Sequence, residues 1–262
     1  MISPDPDRIS TIIATVAQEE ILPRFRTLRD DQVRTKTHPQ DLVTDADVEA
    51  ERVLSTRLTD ALPGSVVVGE EAVHGDARVL DRLHGDAPVW VVDPVDGTSN
   101  FAHGKALFAT LVALVIGGKT VQGWLHDPLR GITITTELGS GTWLNGERLH
   151  VAGQGLRLAD LTGSAGYSPV KALRGRYRKH LHHASAAHDY MALVEGRMHF
   201  AVFRRLMPWD HAAGVLAQTE AGGVAALSSG EAYSPLLKSG ALILAPDQPI
   251  LDEIRARVTS KD

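Results

Sequence analysis

The sequence predicts a mixed α/β fold, and three observations support this prediction. The chain has 262 residues, of which 43% are hydrophobic and 23% charged, so it can bury a core without cross-links. Apolar residues at helical spacing precede short apolar runs that are typical of buried strands. Hairpin signals then dominate the middle of the chain, and alternating helices and strands follow them.

Two helices are predicted near the N-terminus. Their apolar positions are Ile9, Ile12, Ile13 and Val16 in the first helix and Val48, Leu54, Leu58 and Leu62 in the second. The second helix is expected to begin after Thr44 and to stop at Pro63-Gly64. Thr44 and Asp47 form the T-x-x-D pattern of a capping box, which predicts a structural role for Asp47.

The middle of the chain predicts strands. Val66–Val68 and Val89–Val92 are short apolar runs that end in acidic residues, which is typical of buried strands. Further strands are expected at residues 108–116, 121–125, 132–135 and 142–144. Asn145-Gly146 is a strong hairpin signal, so we expect an antiparallel meander.

The second half of the chain alternates between helices and strands. We expect helices at residues 190–194, 211–221 and 247–258, and strands at residues 198–203 and 241–245. The loop from Gly153 to Gly155 is the best candidate boundary between an N-terminal half, residues 1–150, and a C-terminal half, residues 151–262. The absence of a long linker predicts that the halves pack together, with a site between them.

Composition restricts the function. The chain has 27 Lys and Arg against 32 Asp and Glu, a net charge of −5, and no cysteine. The charge provides no basic surface for nucleic acid or an anionic membrane, so we expect a small-molecule partner. Without cysteine, any metal is held by oxygen or imidazole. No signal peptide or apolar stretch of roughly 18 residues is visible, which predicts a soluble cytoplasmic protein.

The segment from Trp90 to Phe101 carries the strongest chemical signal. It reads WVVDPVDGTSNF. A buried strand is expected to deliver Asp93, and Pro94 is expected to end the strand because it has no N–H to donate. Asp96-Gly97-Thr98 then forms a turn. Two carboxylates with a backbone carbonyl between them suit Mg²⁺, and turn amides suit a phosphate. The alternative is an ordinary Asp-Gly turn.

Two further acidic segments favour the cation. Glu70-Glu71 also follows an apolar strand, and Asp210 opens a later helix. Clustered carboxylates repel one another unless cations neutralise them. Taken singly, Asp210 also suits a helix N-cap and Glu70-Glu71 a solvated loop.

These segments resemble the inositol monophosphatase family of Mg²⁺-dependent, lithium-sensitive phosphomonoesterases. The resemblance is carried by GEE at 69–71, WVVDPVDGTSNF at 90–101, WDHAAGVLAQTEAGG at 209–223, and DLVTDAD at 41–47 with Lys36 upstream. It implies a layered α/β/α/β/α sandwich of the inositol monophosphatase and fructose-1,6-bisphosphatase type. It also implies a homodimer.

The resemblance also implies residue roles. Two or three Mg²⁺ ions are expected, with a first set of ligands, Glu70, Asp93 and the Val95 carbonyl, a second set, Asp93, Asp96 and Asp210, and a weaker third position beside Glu70. Gly97 and Thr98 match the amides that hold phosphate. Asp47 and the Thr98 hydroxyl match the pair that activates water. The expected catalytic residues are these two and Glu70.

The substrate is less defined by the sequence. Phe203 stands where inositol-specific relatives carry a glutamate, and Arg204 and Arg205 follow it. These three residues and Ser185 are the candidate substrate contacts, with exposure to solvent as the alternative for the arginines. A small polyol or sugar phosphate is the favoured substrate, with fructose 1,6-bisphosphate or histidinol phosphate as alternatives. A regulatory binding protein that has lost activity is the non-enzyme alternative.

Rival motifs fail. Gly118-Lys119-Thr120 resembles the end of a P-loop, but Ala113 stands where its first glycine is required. Asp93 and Asp96 enclose two residues, which departs from the D-x-D-G-T pattern of haloacid dehalogenase phosphatases. The histidines between His180 and His188 lack a zinc-binding spacing and are expected on a helix surface, with one of them a candidate for the substrate entrance.

Overall fold

Two β-sheets with helices between them and on both outer sides organise the protein. The computed structural model describes residues 4–28, 32–35, 42–166 and 171–259. Lys36 and Asp41, which contribute to the family resemblance, lie outside these residues. The helices are α1 (Pro6–Val16), α2 (Asp45–Ala61), α3 (Glu70–Gly75), α4 (Thr98–Ala102), α5 (Ala186–Val194), α6 (Pro208–Glu220) and α7 (Gln248–Thr259).

The strands form three sheets within the described residues. A two-stranded sheet pairs β1 (Val33–Thr35) with β2 (Leu42–Thr44). The large sheet has the order β3-β4-β5-β6-β7-β8-β9, with strands β3 (Val66–Gly69), β4 (Val89–Asp96), β5 (Ala109–Ile116), β6 (Lys119–Asp127), β7 (Ile132–Glu137), β8 (Gly141–Leu144) and β9 (Glu147–Arg148). The small sheet has the order β11-β10-β12-β14-β13, with strands β10 (Thr162–Ser164), β11 (Lys179–His180), β12 (Phe200–Phe203), β13 (Val224–Leu227) and β14 (Leu242–Ala245).

The contacts between elements define five layers. Helices α1 and α2 cover one face of the large sheet, and α6, which packs beside α5, covers its other face. Helix α6 also contacts the small sheet, whose far side is covered by α7. The order is therefore α/β/α/β/α, and the predicted layered sandwich is confirmed.

Strand β4 shows why the sequence forms this arrangement. Trp90 and Val92 pack with α1 and α2, whereas Val89 and Val91 pack on the opposite side of the sheet with α5 and α6. Successive side chains of a strand alternate between its faces, and both faces are covered here. The continuous apolar run is required for this burial, and it ends at the buried carboxylate of Asp93.

The predicted central meander is confirmed. Strands β5 to β9 pair antiparallel in chain order. Asn145 and Gly146 both have positive φ, 53° and 79°, which fits the tight hairpin turn that their sequence predicts. The predicted helices and strands of the second half are also present, with ends shifted by up to several residues.

Two sequence predictions about local structure are wrong. Pro94 does not end its strand: β4 continues to Asp96 through a register shift between Asp93 and Asp96, because a bulge accommodates a residue without a backbone N–H. Val48 is 39% exposed, because the buried side of α2 is formed by Ala46, Ala50, Leu54 and Leu58.

No helix in the described ranges has the length and apolar character needed to cross a membrane. The large sheet ends at Arg148 and the small sheet begins at Thr162. The division into residues 1–150 and 151–262 remains a prediction.

Candidate active site

Three carboxylates converge where β4 ends beside α6. One oxygen each of Asp93, Asp96 and Asp210 lies within 4.8 Å of the others. Asp93 and Asp96 are buried, at 2% and 7% exposure, and Asp210 is half-buried. Hard divalent cations such as Mg²⁺ prefer carboxylate oxygens, so this donor set fits the predicted metal.

The electrostatics of Asp93 favour a bound cation. Burial, followed by the charges of Glu70, Asp96 and Asp210, raises the pKa of Asp93 well above its usual value. Glu70 therefore belongs to the electrostatic surroundings of Asp93. A cation in the cluster would offset these repulsions and keep the carboxylates ionised.

Asp96 joins the large sheet to α5. Its carboxylate accepts hydrogen bonds from the backbone N–H groups of Ala186 at 3.1 Å and Ala187 at 2.8 Å, and from the Ser185 hydroxyl. Burial raises the pKa of Asp96, whereas these hydrogen bonds lower it. The first turn of a helix favours an anion, and here it orients a candidate metal ligand.

Asp47 and Thr98 contact each other. Thr98 Oγ1 lies 3.0 Å from Asp47 Oδ1 and 3.0 Å from the Val95 carbonyl oxygen. The predicted capping box is present, because Thr44 and Asp47 exchange hydrogen bonds at the start of α2. Burial raises the pKa of Asp47 to about 7 against the opposing hydrogen bond from Thr44. One oxygen of Asp47 thus caps the helix while the other faces Thr98.

The turn between Asp96 and Thr98 requires glycine. Gly97 has φ +88°, and a Cβ atom there would lie 2.8 Å from the Leu107 carbonyl oxygen and 3.2 Å from Ser185 Cβ. Helix α4 begins directly afterwards at Thr98. This geometry suits the close backbone approach that phosphate binding needs, although the assignment of Gly97 and Thr98 to phosphate remains a prediction.

Glu51 is a site residue that the sequence reasoning missed. Its carboxylate accepts hydrogen bonds from the backbone N–H groups of Glu71 at 2.7 Å and Ala72 at 2.8 Å. Glu51 thereby caps the first turn of α3, where Glu70 begins the helix. Burial raises the pKa of Glu51 to about 7. Its position four residues after Asp47, on the same side of α2, is the signal that could have identified it.

Gly69 permits this arrangement. A Cβ atom at Gly69 would lie 2.2 Å from Cδ of Glu51. The glycine of the GEE motif therefore makes room for the carboxylate that caps α3.

Asp210 does not cap its helix. The N-cap of α6 is Met207, Pro208 is the first helical residue, and Asp210 lies within the first turn. The N-cap alternative is therefore wrong, because the helix begins at Pro208, three residues before the start that an Asp210 N-cap requires.

Phe203 lies in an aromatic cluster. Its ring stacks on Tyr190 with centroids 5.4 Å apart and lies 4.8 Å from the His211 ring. Tyr190 in turn hydrogen-bonds His211 at 3.0 Å. Burial lowers the pKa of His211 to about 4, so this ring is neutral near pH 7.

Arg204 and Arg205 follow Phe203 and are exposed. The backbone carbonyl of Arg205 accepts a hydrogen bond from His211 Nε2 at 2.6 Å, which fixes the backbone beside the aromatic cluster. Substrate contact by Phe203, Arg204, Arg205 and Ser185 remains a prediction.

The histidines between His180 and His188 are not on one helix surface. His180 belongs to β11, His182 and His183 lie in the following loop, and His188 is buried on α5. The helix begins only at Ala186, so the expectation that these histidines lie on a helix surface is wrong. A place for one of them at the substrate entrance remains a prediction. His183 contacts Asp189, with Nδ1 2.6 Å from the carboxylate.

Known proteins resemble this chain in sequence. Residues 7–261 match the profile of the inositol monophosphatase family. A Thermotoga maritima protein named fructose-1,6-bisphosphatase/inositol-1-monophosphatase is 33% identical over 217 residues, covering 80% of this chain and 81% of that protein. An inositol-1-monophosphatase of Mesorhizobium japonicum is 34% identical over 219 residues, covering 78% of each chain.

Solved structures share the fold. An IMPase of Thermotoga maritima superposes with a TM-score of 0.83 at 30% identity, covering 97% of this chain and 96% of that one. The extragenic suppressor protein suhB of Bartonella henselae gives a TM-score of 0.82 at 27% identity, covering 98% and 99%.

The layered sandwich and the carboxylates at the end of β4 place the chain in a class of phosphatases that hydrolyse phosphate monoesters. Within that class, the chain belongs to the inositol monophosphatase family.

Proposed function

We propose that this chain is a Mg²⁺-dependent phosphomonoesterase that hydrolyses a small polyol or sugar phosphate with metal-activated water. The observation that carries this proposal is the convergence of Asp93, Asp96 and Asp210 within 4.8 Å. Glu70 and the Val95 carbonyl complete the ligand set for two or three Mg²⁺ ions. The protein acts as a cytoplasmic homodimer and is sensitive to lithium, as the family resemblance implies.

The residues of the site divide the chemistry among them. Asp93, Asp96 and Asp210 would hold Mg²⁺, which when bound would lower the pKa of a water and stabilise charge on the leaving oxygen. Thr98 Oγ1 orients the attacking water and takes a proton from it while its own hydroxyl hydrogen passes to Asp47 Oδ1, 3.0 Å away. The pKa of Asp47, raised to about 7, suits a group that accepts a proton near neutral pH. The Gly97 and Thr98 amides hold the phosphoryl oxygens.

The substrate is proposed from the residues around Asp210. Phe203 is an aromatic residue in place of a carboxylate, and the two residues that follow it in the sequence, Arg204 and Arg205, are exposed cations. Guanidinium groups recognise carboxylates and phosphates, so a substrate with a second anionic group is favoured over a cationic one. Fructose 1,6-bisphosphate is therefore a second candidate, and the Thermotoga maritima relative carries both activities in its name.

Phosphate release tests the function. The purified protein is incubated with inositol 1-phosphate, fructose 1,6-bisphosphate and histidinol phosphate, each with Mg²⁺ or with EDTA. We expect Mg²⁺-dependent release from at least one ester, and inhibition by millimolar Li⁺. Absence of release from every ester, with Mg²⁺ bound, would favour the regulatory binding protein.

A further inference from the structure

A row of four buried polar side chains leads from β6 to the acidic cluster. The row consists of Asp127, His188, Ser185 and Asp96, each at most 7% exposed. His188 Nε2 lies 3.5 Å from Asp127 Oδ2, and His188 Nδ1 lies 3.0 Å from Ser185 Oγ. Ser185 Oγ in turn contacts Asp96 Oδ2.

The number of available hydrogens fixes the direction of these bonds. A serine hydroxyl has one hydrogen, and an ionised carboxylate only accepts. Ser185 therefore donates to Asp96 and accepts from the backbone N–H of His188, at 3.2 Å, and from the ring nitrogen Nδ1. His188 Nδ1 must carry a hydrogen for this arrangement.

Asp127 acts on the other side of the ring. Its Oδ1 accepts hydrogen bonds from the backbone N–H groups of Leu129 and Arg130, both at 3.0 Å, and its Oδ2 faces His188. Burial opposes the ionisation of Asp127, but the His188 ring and the Arg130 amide outweigh burial and lower the pKa of Asp127. Asp127 Oδ2 lies 3.5 Å from His188 Nε2, so this carboxylate holds the ring from the side opposite Ser185.

The number of hydrogen bonds that each Asp96 oxygen accepts indicates which oxygen is available to a metal. Asp96 Oδ2 accepts two hydrogen bonds, from Ser185 Oγ and from the Ala187 amide. Asp96 Oδ1 accepts one hydrogen bond from the described residues, from the Ala186 amide. A carboxylate oxygen has two lone pairs, so Oδ1 keeps one for a cation.

Asp127, His188 and Ser185 are the three residue types of a serine hydrolase triad, but their hydrogen bonding differs from that of a triad. Ser185 is 5% exposed, and its hydrogen is directed to Asp96 rather than to the histidine. Ser185 therefore orients a carboxylate and is not a nucleophile.

We propose that His188, held by Asp127, is a positioning residue for the metal site: it directs the Ser185 hydroxyl to Asp96 Oδ2 and leaves Oδ1 as the single metal-binding oxygen. This inference deepens the proposed function and rests on it, because the cation is taken to be Mg²⁺. Groups that orient metal ligands typically contribute about 10–100-fold in metal affinity.

Direct metal binding tests the proposal. The variant His188→Leu removes both ring nitrogens, His188→Asn keeps an amide N–H near the position of Nδ1, and Asp127→Asn removes the charge behind the ring. The matched control is His126→Leu, because His126 is equally buried beside Asp127 but hydrogen-bonds Thr133 instead. Mg²⁺ affinity is measured by calorimetry and Mn²⁺ binding by electron paramagnetic resonance, both without substrate.

We expect His188→Leu to weaken Mg²⁺ binding by about 10–100-fold, His188→Asn to recover part of this loss, and His126→Leu to bind as the wild type does. Circular dichroism checks that each variant is folded. A folded His188→Leu variant with wild-type affinity overturns the proposal. If His188→Leu does not fold, Asp127→Asn decides in the same way, because asparagine preserves the Oδ1 acceptor of the turn.

Failure of this inference is distinguishable from failure of the proposed function. A wild-type protein that binds Mg²⁺ but releases no phosphate contradicts the function, and the affinity ratio between variants still decides the role of His188. An active wild type whose His188 variants bind Mg²⁺ unchanged contradicts only the positioning role. A wild type that binds no divalent cation contradicts both.

Discussion

Thr98 Oγ1 lies 3.0 Å from Asp47 Oδ1, although 51 positions separate the two residues in the sequence. The contact joins the first turn of α2 to the first residue of α4. This contact supports the proposed proton transfer between Thr98 and Asp47, and the first prediction concerns the pair.

Thr98→Ala and Asp47→Asn should each lower kcat far more than they raise KM, because the pair acts on the attacking water rather than on bound substrate. The double variant should be little worse than the more severe single variant. Steady-state kinetics of the three variants measures this. Fully additive losses would show that the residues act separately, and an Asp47 that served only as a cap would cost about 1 kcal/mol of stability with turnover intact.

Asp93→Asn should abolish phosphate release and weaken Mg²⁺ binding, because Asp93 is expected to ligate two metal ions. The loss of transition-state stabilisation should amount to several kcal/mol, roughly 10³-fold or more in kcat/KM. Kinetics at saturating Mg²⁺ and calorimetry measure the two effects. Asp189→Asn is a suitable control, since Asp189 is a buried carboxylate that contacts His183. Wild-type turnover in Asp93→Asn contradicts the metal assignment.

The metal-free protein should lose stability as pH rises from about 4.5 to about 7. Asp47 and Glu51 have pKa values raised to about 7 by burial, so between their unfolded and folded pKa values the folded state binds more protons than the unfolded state. Stability then falls with increasing pH. Urea unfolding in EDTA across this range measures the slope.

Mg²⁺ should reverse this trend and stabilise the protein most at the high end of the range, because it replaces the protons as the counter-charge. Glu51→Gln should show a shallower slope in EDTA. A slope equal to that of the wild type would show that Glu51 does not titrate in this window.

Arg204→Ala and Arg205→Ala, tested singly, should reduce the preference for an anionic or sugar phosphate over histidinol phosphate in at least one case. Both arginines are exposed and follow Phe203 in the sequence, and a cationic substrate there would meet like charge. The ratio of kcat/KM values measures the preference. Arg157→Ala, an exposed arginine paired with Asp160, is the control. If histidinol phosphate is the best substrate, or if neither substitution changes the preference, the two side chains point to solvent or to a subunit contact and do not bind substrate.

Periodicity predicted much of the fold because the burial of β4, α1 and α2 follows from local apolar spacing. Strand β10, with the sequence Thr162-Gly163-Ser164, gave no such signal. It contains no large apolar residue, and its glycine is needed because a Cβ atom there would lie 2.3 Å from the ring of Phe200. Its strand conformation depends on neighbours that are distant in sequence.

The sequence predicts the site residues that directly follow apolar strands. It does not predict the residues on helices that hydrogen-bond the site from other elements. Asp93 and Asp96 stand at the end of an apolar run, which the sequence shows directly. Glu51 and His188 act through backbone amides and a hydroxyl of other elements. For Glu51 the spacing of four residues from Asp47 is a weak signal, and for His188 only the packing of α5 against the sheet reveals the role.

The acidic cluster takes Asp93 and Asp96 from β4 but Asp210 from α6, and this origin sets an order of assembly during translation. A ribosome has made the whole large sheet, up to Arg148, before it adds the α5 amides that hold Asp96 or the third carboxylate. A nascent chain that ends at Arg148 contains Asp93 and Asp96 but neither the α5 amides nor Asp210. The proposed metal site is therefore incomplete until α6 has been made and lies against the sheet.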